Sequence, residues 1–366
     1  GFSILFIITS FSTVQQAVLE REFKFKAIAM RSLWGISLSG IVGIAMALAG
    51  LGVWSLVGQQ IIYELVAAIT LWRLSDWRPG FRVSISHLQD LWSFGVATFG
   101  FNALTFLHTR ADDLLIGYFL DATALGLYSV AYRVFTLLST LLINTSNQVA
   151  LPTFSRLQDD IKKLRQSFYE ITKLTSLVAF PVFIGVALLA HELIFIIFGQ
   201  QWLPAVPILQ LFSLVGAMRA VTFFKSSIFM ALDKAHWRFY LGMIDTFLNI
   251  VGFLIAVRWG IVAVAMAYVI RFYLMFPVGQ WLVGILIRAS LKDYLRQFVT
   301  PLLSTLAMAT VMLLLRLWLG TELSPWVMLL CCVSAGTTVY VATVFVIDPK
   351  VFRQVHELGR LALDRS

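Results

Sequence analysis

Apolar stretches of about 20 residues, the length of helix that crosses a bilayer's hydrocarbon core, follow one another along almost the whole chain. Because lipid cannot satisfy backbone polar groups, each stretch has to form a helix. We therefore predict an all-α polytopic membrane protein with about eleven transmembrane helices. The predicted helices lie near residues 2–19, 28–49, 53–72, 90–119, 122–153, 169–190, 205–231, 238–257, 261–287, 299–319 and 325–347.

The composition agrees with a membrane protein rather than a soluble domain. Of the 366 residues, 59% are hydrophobic and 13% are charged, and the net charge is +9. The cations lie mostly in short connectors, and every second connector is basic, with Arg258 the clear exception. The positive-inside rule explains this alternation better than nucleic-acid binding does. It predicts cytoplasmic basic connectors, a cytoplasmic C terminus and no nucleic-acid partner.

The motifs of common catalytic sites do not occur in the sequence. It has no Gly-rich phosphate loop, no His-Glu-x-x-His and no Gly-x-Ser-x-Gly pattern, and its five histidines are scattered. Cys331 and Cys332 are adjacent within a late apolar stretch, which argues against a disulfide between them and against metal ligation. We expect no enzyme activity, no catalytic residue, no cofactor and no metal.

Polar side chains recur with helical periodicity in two successive apolar stretches. At 100° per residue, the stretch 90–119 carries one polar stripe. This stripe consists of Asn102, Thr105, Thr109 and Asp113, flanked by Arg110 and Asp112. The stripe of the next stretch consists of Ser129, Arg133, Thr136, Thr140, Asn144 and Asn147. Lipid does not tolerate such faces, so both are predicted to face the interior of the bundle or a wet cavity.

Arg110 and Arg133 lie at similar distances from a turn at Asp121, so on two antiparallel helices they would share one depth in the membrane. The carboxylates of Asp112 and Asp113 lie within one helical turn of Arg110, which predicts a partly neutralised cluster. Two interpretations stay open. The cluster either ties two helices together or opens to receive an anion.

Four more charged residues, Arg219, Lys225, Asp245 and Arg271, fall within later predicted helices. With the residues above, five cations then stand against three acids inside the membrane. This excess predicts a cavity that attracts an anion, and phosphate matches the guanidinium fork. Asp245 has two further interpretations: it carries a coupling proton or holds Na⁺, or it ties helices together with Asn249.

Six separated motifs, in order along essentially the whole chain, resemble one family. They are Gln15–Phe23 (QQAVLEREF), Gly52–Gln60 (GVWSLVGQQ), Asp112–Leu120 (DDLLIGYFL), Ala124–Arg133 (ALGLYSVAYR), Pro152–Asp159 (PTFSRLQD) and Gln201–Pro204 (QWLP). The chain resembles the Wzx-type polysaccharide flippases of the multidrug/oligosaccharidyl-lipid/polysaccharide exporter superfamily. That family is similar in fold to two helical lobes around a central cavity.

The resemblance implies an incomplete N-terminal lobe with a cytoplasmic linker at 1–88 and a complete C-terminal lobe with a cytoplasmic tail at 89–366. About three N-terminal spans would be absent, in agreement with the missing initiator methionine. It also implies alternating-access transport of an undecaprenyl-diphosphate-linked oligosaccharide across the bacterial inner membrane. Arg110 and Arg133 stand in or beside the matching motifs and are expected to meet the anionic cargo.

Expected partners are that lipid-linked oligosaccharide, membrane lipids, a coupling H⁺ or Na⁺, and the polymerase and glycosyltransferases of the same pathway. The predicted cavity residues are Arg110, Arg133, Arg219, Arg271, Lys225, Asn102, Thr109, Thr136, Thr140 and Asn144. The predicted gating or charge-pairing residues are Asp112, Asp113 and Asp245.

Two other functions would require different sequence features. A cation-coupled drug exporter of the same superfamily should prefer an acidic cavity, and the cation excess argues against it. A membrane glycan polymerase or ligase should show a sizeable outer loop with catalytic carboxylates or histidines, and the connectors are short.

Overall fold

The computed structural model describes residues 3–22, 24–78, 80, 85–319 and 324–349. The described residues form fourteen α-helices and contain no strand. The helices are α1 (Ser3–Arg21), α2 (Phe25–Leu48), α3 (Trp54–Leu74), α4 (Ile85–Phe119), α5 (Ala122–Arg156), α6 (Ile161–Leu188), α7 (Ala190–Phe198), α8 (Val206–Thr222), α9 (Phe224–Ala231), α10 (Ala235–Ala256), α11 (Ile261–Ile287), α12 (Leu291–Arg296), α13 (Val299–Leu319) and α14 (Pro325–Ile347). The predicted cytoplasmic tail after residue 349 lies outside the described residues.

Ten helical segments in the described part of the chain are long and apolar enough to cross a membrane. The remaining predicted helix, 90–119, corresponds to the 35-residue helix α4. The apolar portion of α4 among the described residues is Thr98–Leu107. Arg110, Asp112 and Asp113 follow that portion and limit its length. The prediction of an all-α polytopic membrane protein is confirmed.

The helices group into two compact units, Gly1–Phe94 and Gly95–Ser366. In the first unit, α2 and α3 pack closely because glycines on α2 leave room for side chains of α3. A Cβ on Gly35 would lie 2.9 Å from the ring of Tyr63, and one on Gly43 would lie 3.1 Å from Cβ of Gln59. Small residues at helix contacts allow this close approach in membranes, where packing replaces the hydrophobic driving force.

An aromatic cluster holds together α5, α6, α8 and α11 of the second unit. The ring of Phe212 lies 5.3 Å from that of Phe135 and 5.6 Å from that of Tyr268, between centroids. Phe183 of α6 joins the cluster 6.3 Å from Phe135. These rings are buried, and their contacts fix three of the helices that supply the functional-site residues below.

Gly216 of α8 is predicted to be essential for the packing of α8 on α6. A Cβ there would clash with Cε1 of the Phe183 ring, which is fully buried. We expect Gly216→Ala to destabilise the protein by about 1–3 kcal/mol, the usual cost of overpacking a core. The measurement is thermal unfolding in detergent. Gly185→Ala is the matched control, since a Cβ on Gly185 meets open space. Equal melting temperatures for the two variants would contradict the packing described.

Aspartates cap the N termini of two long helices. Asp121 accepts a hydrogen bond from the backbone N–H of Ala124 at 2.6 Å and begins α5. Asp160 accepts one from the backbone N–H of Lys163 at 3.1 Å and begins α6. This backbone hydrogen bond, assisted by the Lys163 ammonium group, lowers the pKa of the Asp160 carboxyl below its ordinary value. The α4–α5 turn therefore lies at Asp121, where the sequence placed it.

Candidate functional site

A cavity of about 270 Å³ lies within the second unit, between α4, α5, α8, α9, α10 and α11. Six of the predicted site residues line it: Thr109, Asp112, Arg219, Lys225, Asp245 and Arg271. These residues come from four separate stretches of sequence, and the fold gathers them at one place. Three cations and two acids therefore share the cavity.

Arg271 and Asp245 form an ion pair across α10 and α11. Nη1 of Arg271 lies 2.5 Å from Oδ1 of Asp245. The guanidinium group also lies over the ring of Tyr268, 4.8 Å from its centroid. Only 8% of the Arg271 side chain is exposed, against 32% of Asp245. The pair is therefore buried mainly on its cationic side, while the carboxylate remains more accessible.

Arg219 of α8 is held by aromatic groups. Its Nη1 donates a hydrogen bond to the hydroxyl of Tyr268 at 3.1 Å, and its guanidinium lies 5.5 Å from the centroid of Phe135. Cation–π contact stabilises a desolvated guanidinium without neutralising its charge. Arg219 therefore contributes a positive charge to the cavity without a carboxylate partner among the described residues.

Lys225 is the cation of the cavity that keeps its ammonium group free of an acceptor among the described residues. Gly279 on α11 makes room for it, since a Cβ at that position would lie 3.1 Å from Lys225 Nζ. Lys225, Ser226 and Asp245 also line an adjoining cavity of about 190 Å³, which includes Arg238. The ammonium group of Lys225 thus stands where the two cavities meet.

Asp112 is a buried carboxylate held by hydrogen bonds. Its Oδ2 accepts from the hydroxyl of Tyr128 at 2.9 Å, and its Oδ1 accepts from the backbone N–H of Asp113 at 3.0 Å. Its side chain makes no ion pair within the described part of the chain. The contact with Tyr128 ties α4 to α5, so Asp112 both lines the cavity and joins two helices.

The other predicted site residues do not line this cavity. Arg110 pairs with Asp113 at 2.8 Å, and 58% of its side chain is exposed. Four further residues are exposed on the surface of the second unit: Asn102, Arg133, Thr136 and Thr140. The side chain of Asn144 lies outside the described residues. The assignment of these residues to substrate contact stays a prediction.

Several lining residues were not among the predicted site residues. They are Tyr132, Thr222, Phe223, Ser226, Asn249, Tyr268 and Phe272. Signals for two of them are visible in the sequence. Asn249 lies one helical turn after Asp245, and Tyr268 lies one helical turn before Arg271, where an aromatic face can stabilise a membrane arginine. The phenylalanines carry no such signal. Among the described residues, no group of three or more His, Cys, Asp or Glu side chains could hold a metal.

Comparison with known proteins places the chain in a family. The model of the family described as "Polysaccharide biosynthesis protein" matches residues 2–207, more than half of the chain. The chain belongs to this family. The polysaccharide biosynthesis proteins it resembles include the teichuronic acid biosynthesis protein TuaB of Bacillus subtilis (strain 168). TuaB is 27% identical over 367 residues, which cover 98% of this chain and 75% of TuaB.

A second polysaccharide biosynthesis protein, the lipopolysaccharide biosynthesis protein WzxC of Escherichia coli (strain K12), is 26% identical over 255 residues. The match covers 68% of this chain and 51% of WzxC. Among solved structures, the inward closed conformation of the lipid II flippase MurJ matches with a TM-score of 0.76 and 18% identity. That match covers 96% of this chain and 73% of MurJ. At this identity the structural likeness shows the fold.

Proposed function

We propose that this protein moves an undecaprenyl-diphosphate-linked oligosaccharide across the bacterial inner membrane, from the cytoplasmic to the periplasmic leaflet, by alternating access. The observation that carries the proposal is the cavity in which Arg219, Lys225 and Arg271 outnumber two acids. Charges within a membrane are costly, and a net cationic cavity attracts an anion. Guanidinium and ammonium groups are suited to the oxygens of a diphosphate.

An apolar groove between α6, α13 and α14 supports a substrate with a lipid tail. Its volume is about 450 Å³, and its lining includes Leu177, Pro181, Met312 and Val333. A polyprenyl chain is a flexible hydrocarbon that such a groove would take up by apolar contact. We therefore propose the groove as the site of the tail and the cavity as the site of the diphosphate.

Filling the groove is expected to weaken transport. Val333 is half-exposed and lines the groove, so Val333→Trp would occupy part of it without entering a packed core. Loss of two buried methylenes, each about 0.8 kcal/mol, corresponds to roughly tenfold weaker binding of the tail. The measurement is surface polysaccharide in a strain dependent on this protein. Val341→Trp is the control, since Val341 is similarly exposed on α14 and does not line the groove. Equal production by the two variants would argue against the groove.

The names of the relatives are consistent with the proposed cargo. TuaB is named for teichuronic acid and WzxC for lipopolysaccharide, and MurJ, which shares the fold, is named a lipid II flippase. We propose the same class of transport for this chain, with no covalent step. A drug exporter or a glycan polymerase has no comparable support.

The proposed transport is tested by deleting the gene in its host. Lipid-linked oligosaccharide should then accumulate on the cytoplasmic leaflet, out of reach of a lectin added to spheroplasts, and expression of the intact gene should restore labelling. Lectin labelling of the deletion strain equal to that of the parent would overturn the proposal.

The remaining parts of the proposal concern orientation and coupling. The basic connectors support a cytoplasmic C terminus, which a C-terminal alkaline phosphatase fusion tests, since the phosphatase would be inactive there. A coupling H⁺ or Na⁺, and contact with the polymerase and glycosyltransferases of the same pathway, are also proposed.

A further inference from the structure

Asp245 occupies an unusual position for an acid in a cationic cavity. Its carboxylate is paired with Nη1 of Arg271. Asp245 and Lys225 both line both cavities. It is the more exposed member of the ion pair, so a ligand that enters either cavity meets Asp245 before it reaches the buried guanidinium. Asp245 thus stands between the open volume and Arg271.

The charges around Asp245 are unequal in number. Arg219, Lys225 and Arg271 all line one cavity with this carboxylate, and Arg271 is paired with it. A guanidinium fork binds a carboxylate and a phosphate through the same N–H groups. Nη1 of Arg271 is paired with Asp245, so a diphosphate that reaches Nη1 competes with the Asp245 carboxylate for it. Two anions held at one place also repel each other.

We propose that Asp245 is a built-in competitor of the substrate anion: it neutralises Arg271 when the cavity is empty and is displaced when the substrate diphosphate binds. The proposal rests on the function proposed above and assigns Asp245 a positioning role within it. Anion exchange keeps the site from holding its cargo too tightly. A transport site has to bind strongly enough to load and weakly enough to release.

The neighbourhood of Asp245 offers the displaced carboxylate another partner. Asn249 lies one helical turn further along α10, on the same face, and lines the same cavity. Its side chain is buried. Its amide N–H groups are suited to receive the carboxylate when Arg271 turns to the substrate.

The test is the binding of undecaprenyl diphosphate to the full chain in nanodiscs of zwitterionic lipid. Asp245→Asn removes the competing charge and keeps a side chain that can accept from Arg271. We expect its dissociation constant for the lipid to fall roughly tenfold, and the release of bound lipid to slow to a similar extent. A residue with only a structural role would not tighten binding when replaced.

The controls separate this inference from a general effect of charge or a folding defect. Asp159→Asn makes the same change in net charge in an exposed connector and should bind as the wild type does. Asp245→Ser, a second neutral variant, should also bind more tightly, and thermal unfolding verifies that both Asp245 variants are folded. If the wild type binds and neither neutral variant binds more tightly, the exchange is refuted and the anion site stands. If the wild type does not bind the lipid, the proposed function fails and the exchange fails with it.

Discussion

Replacement of Lys225 by glutamine is expected to lower polysaccharide export by about 10- to 100-fold, the effect of losing one charged hydrogen bond of about 1.5–3 kcal/mol. Lys225 is the cavity cation without an acceptor among the described residues, so its ammonium group is available to a ligand. Arg219 and Arg271 are already engaged by Tyr268 and Asp245. The measurement is surface polysaccharide in a deletion strain complemented with each variant.

Two further variants make the result for Lys225 specific. Lys225→Arg keeps the charge and should recover most of the export. Lys234 directly precedes α10 and lines neither cavity. Lys234→Gln therefore removes a cation outside the site and should export as the wild type does. Normal export by Lys225→Gln, at normal protein levels, would remove Lys225 from the proposed anion site.

Arg271→Leu is expected to destabilise the protein by about 3–5 kcal/mol, because it leaves the Asp245 carboxylate in the membrane without its partner. The loss should appear as a lower melting temperature in detergent. The double variant Arg271→Leu/Asp245→Leu removes both charges and should recover most of the lost stability, since a buried ion pair replaced by apolar side chains is often tolerated.

Measuring export by the same double variant distinguishes a loss of function from a loss of stability. Export should remain defective because one of the three cavity cations is absent. Recovery of both stability and export would show that the pair only ties α10 to α11. A single variant Arg271→Leu as stable as the wild type would contradict the buried ion pair itself.

The transmembrane helices were predictable from sequence because lipid admits few backbone structures. A run of apolar residues inside a membrane must be helical, and ten of the predicted helices correspond to described apolar segments. The depth of Arg219, Lys225 and Arg271 followed from the same runs. Their meeting in one cavity could not be predicted, because hydropathy does not say which helices are neighbours.

The polar stripe of α5 illustrates that limit. Helical periodicity correctly grouped Arg133, Thr136 and Thr140 on one side of the helix. It could not say which side packs against α8, and in the second unit that contact is made by the opposite, aromatic side, where Phe135 meets Phe212. The packing of rings therefore decides how α5 is turned.

The contact between Asp112 and Tyr128 could have been predicted from the sequence. Asp112 lies nine residues before Asp121 and Tyr128 seven after it, so the matching of depths that paired Arg110 with Arg133 also brings Asp112 near Tyr128. The hydroxyl of Tyr128 makes that contact at 2.9 Å. The sequence grouped Asp112 and Asp113 with Arg110 by charge, and in the structure Arg110 pairs with Asp113.

The central claim, that the anionic end of a lipid-linked saccharide lies in the cavity of the second unit, is tested most directly by photo-crosslinking in cells that make the polysaccharide. A benzoylphenylalanine at Phe272 would face the cavity, and one at Leu274, an exposed residue of α11 that does not line it, is the control. We expect mass spectrometry to detect a glycan-bearing diphosphate lipid attached at position 272 and not at 274. A protein that exports normally and yields no such adduct at position 272 would contradict the claim.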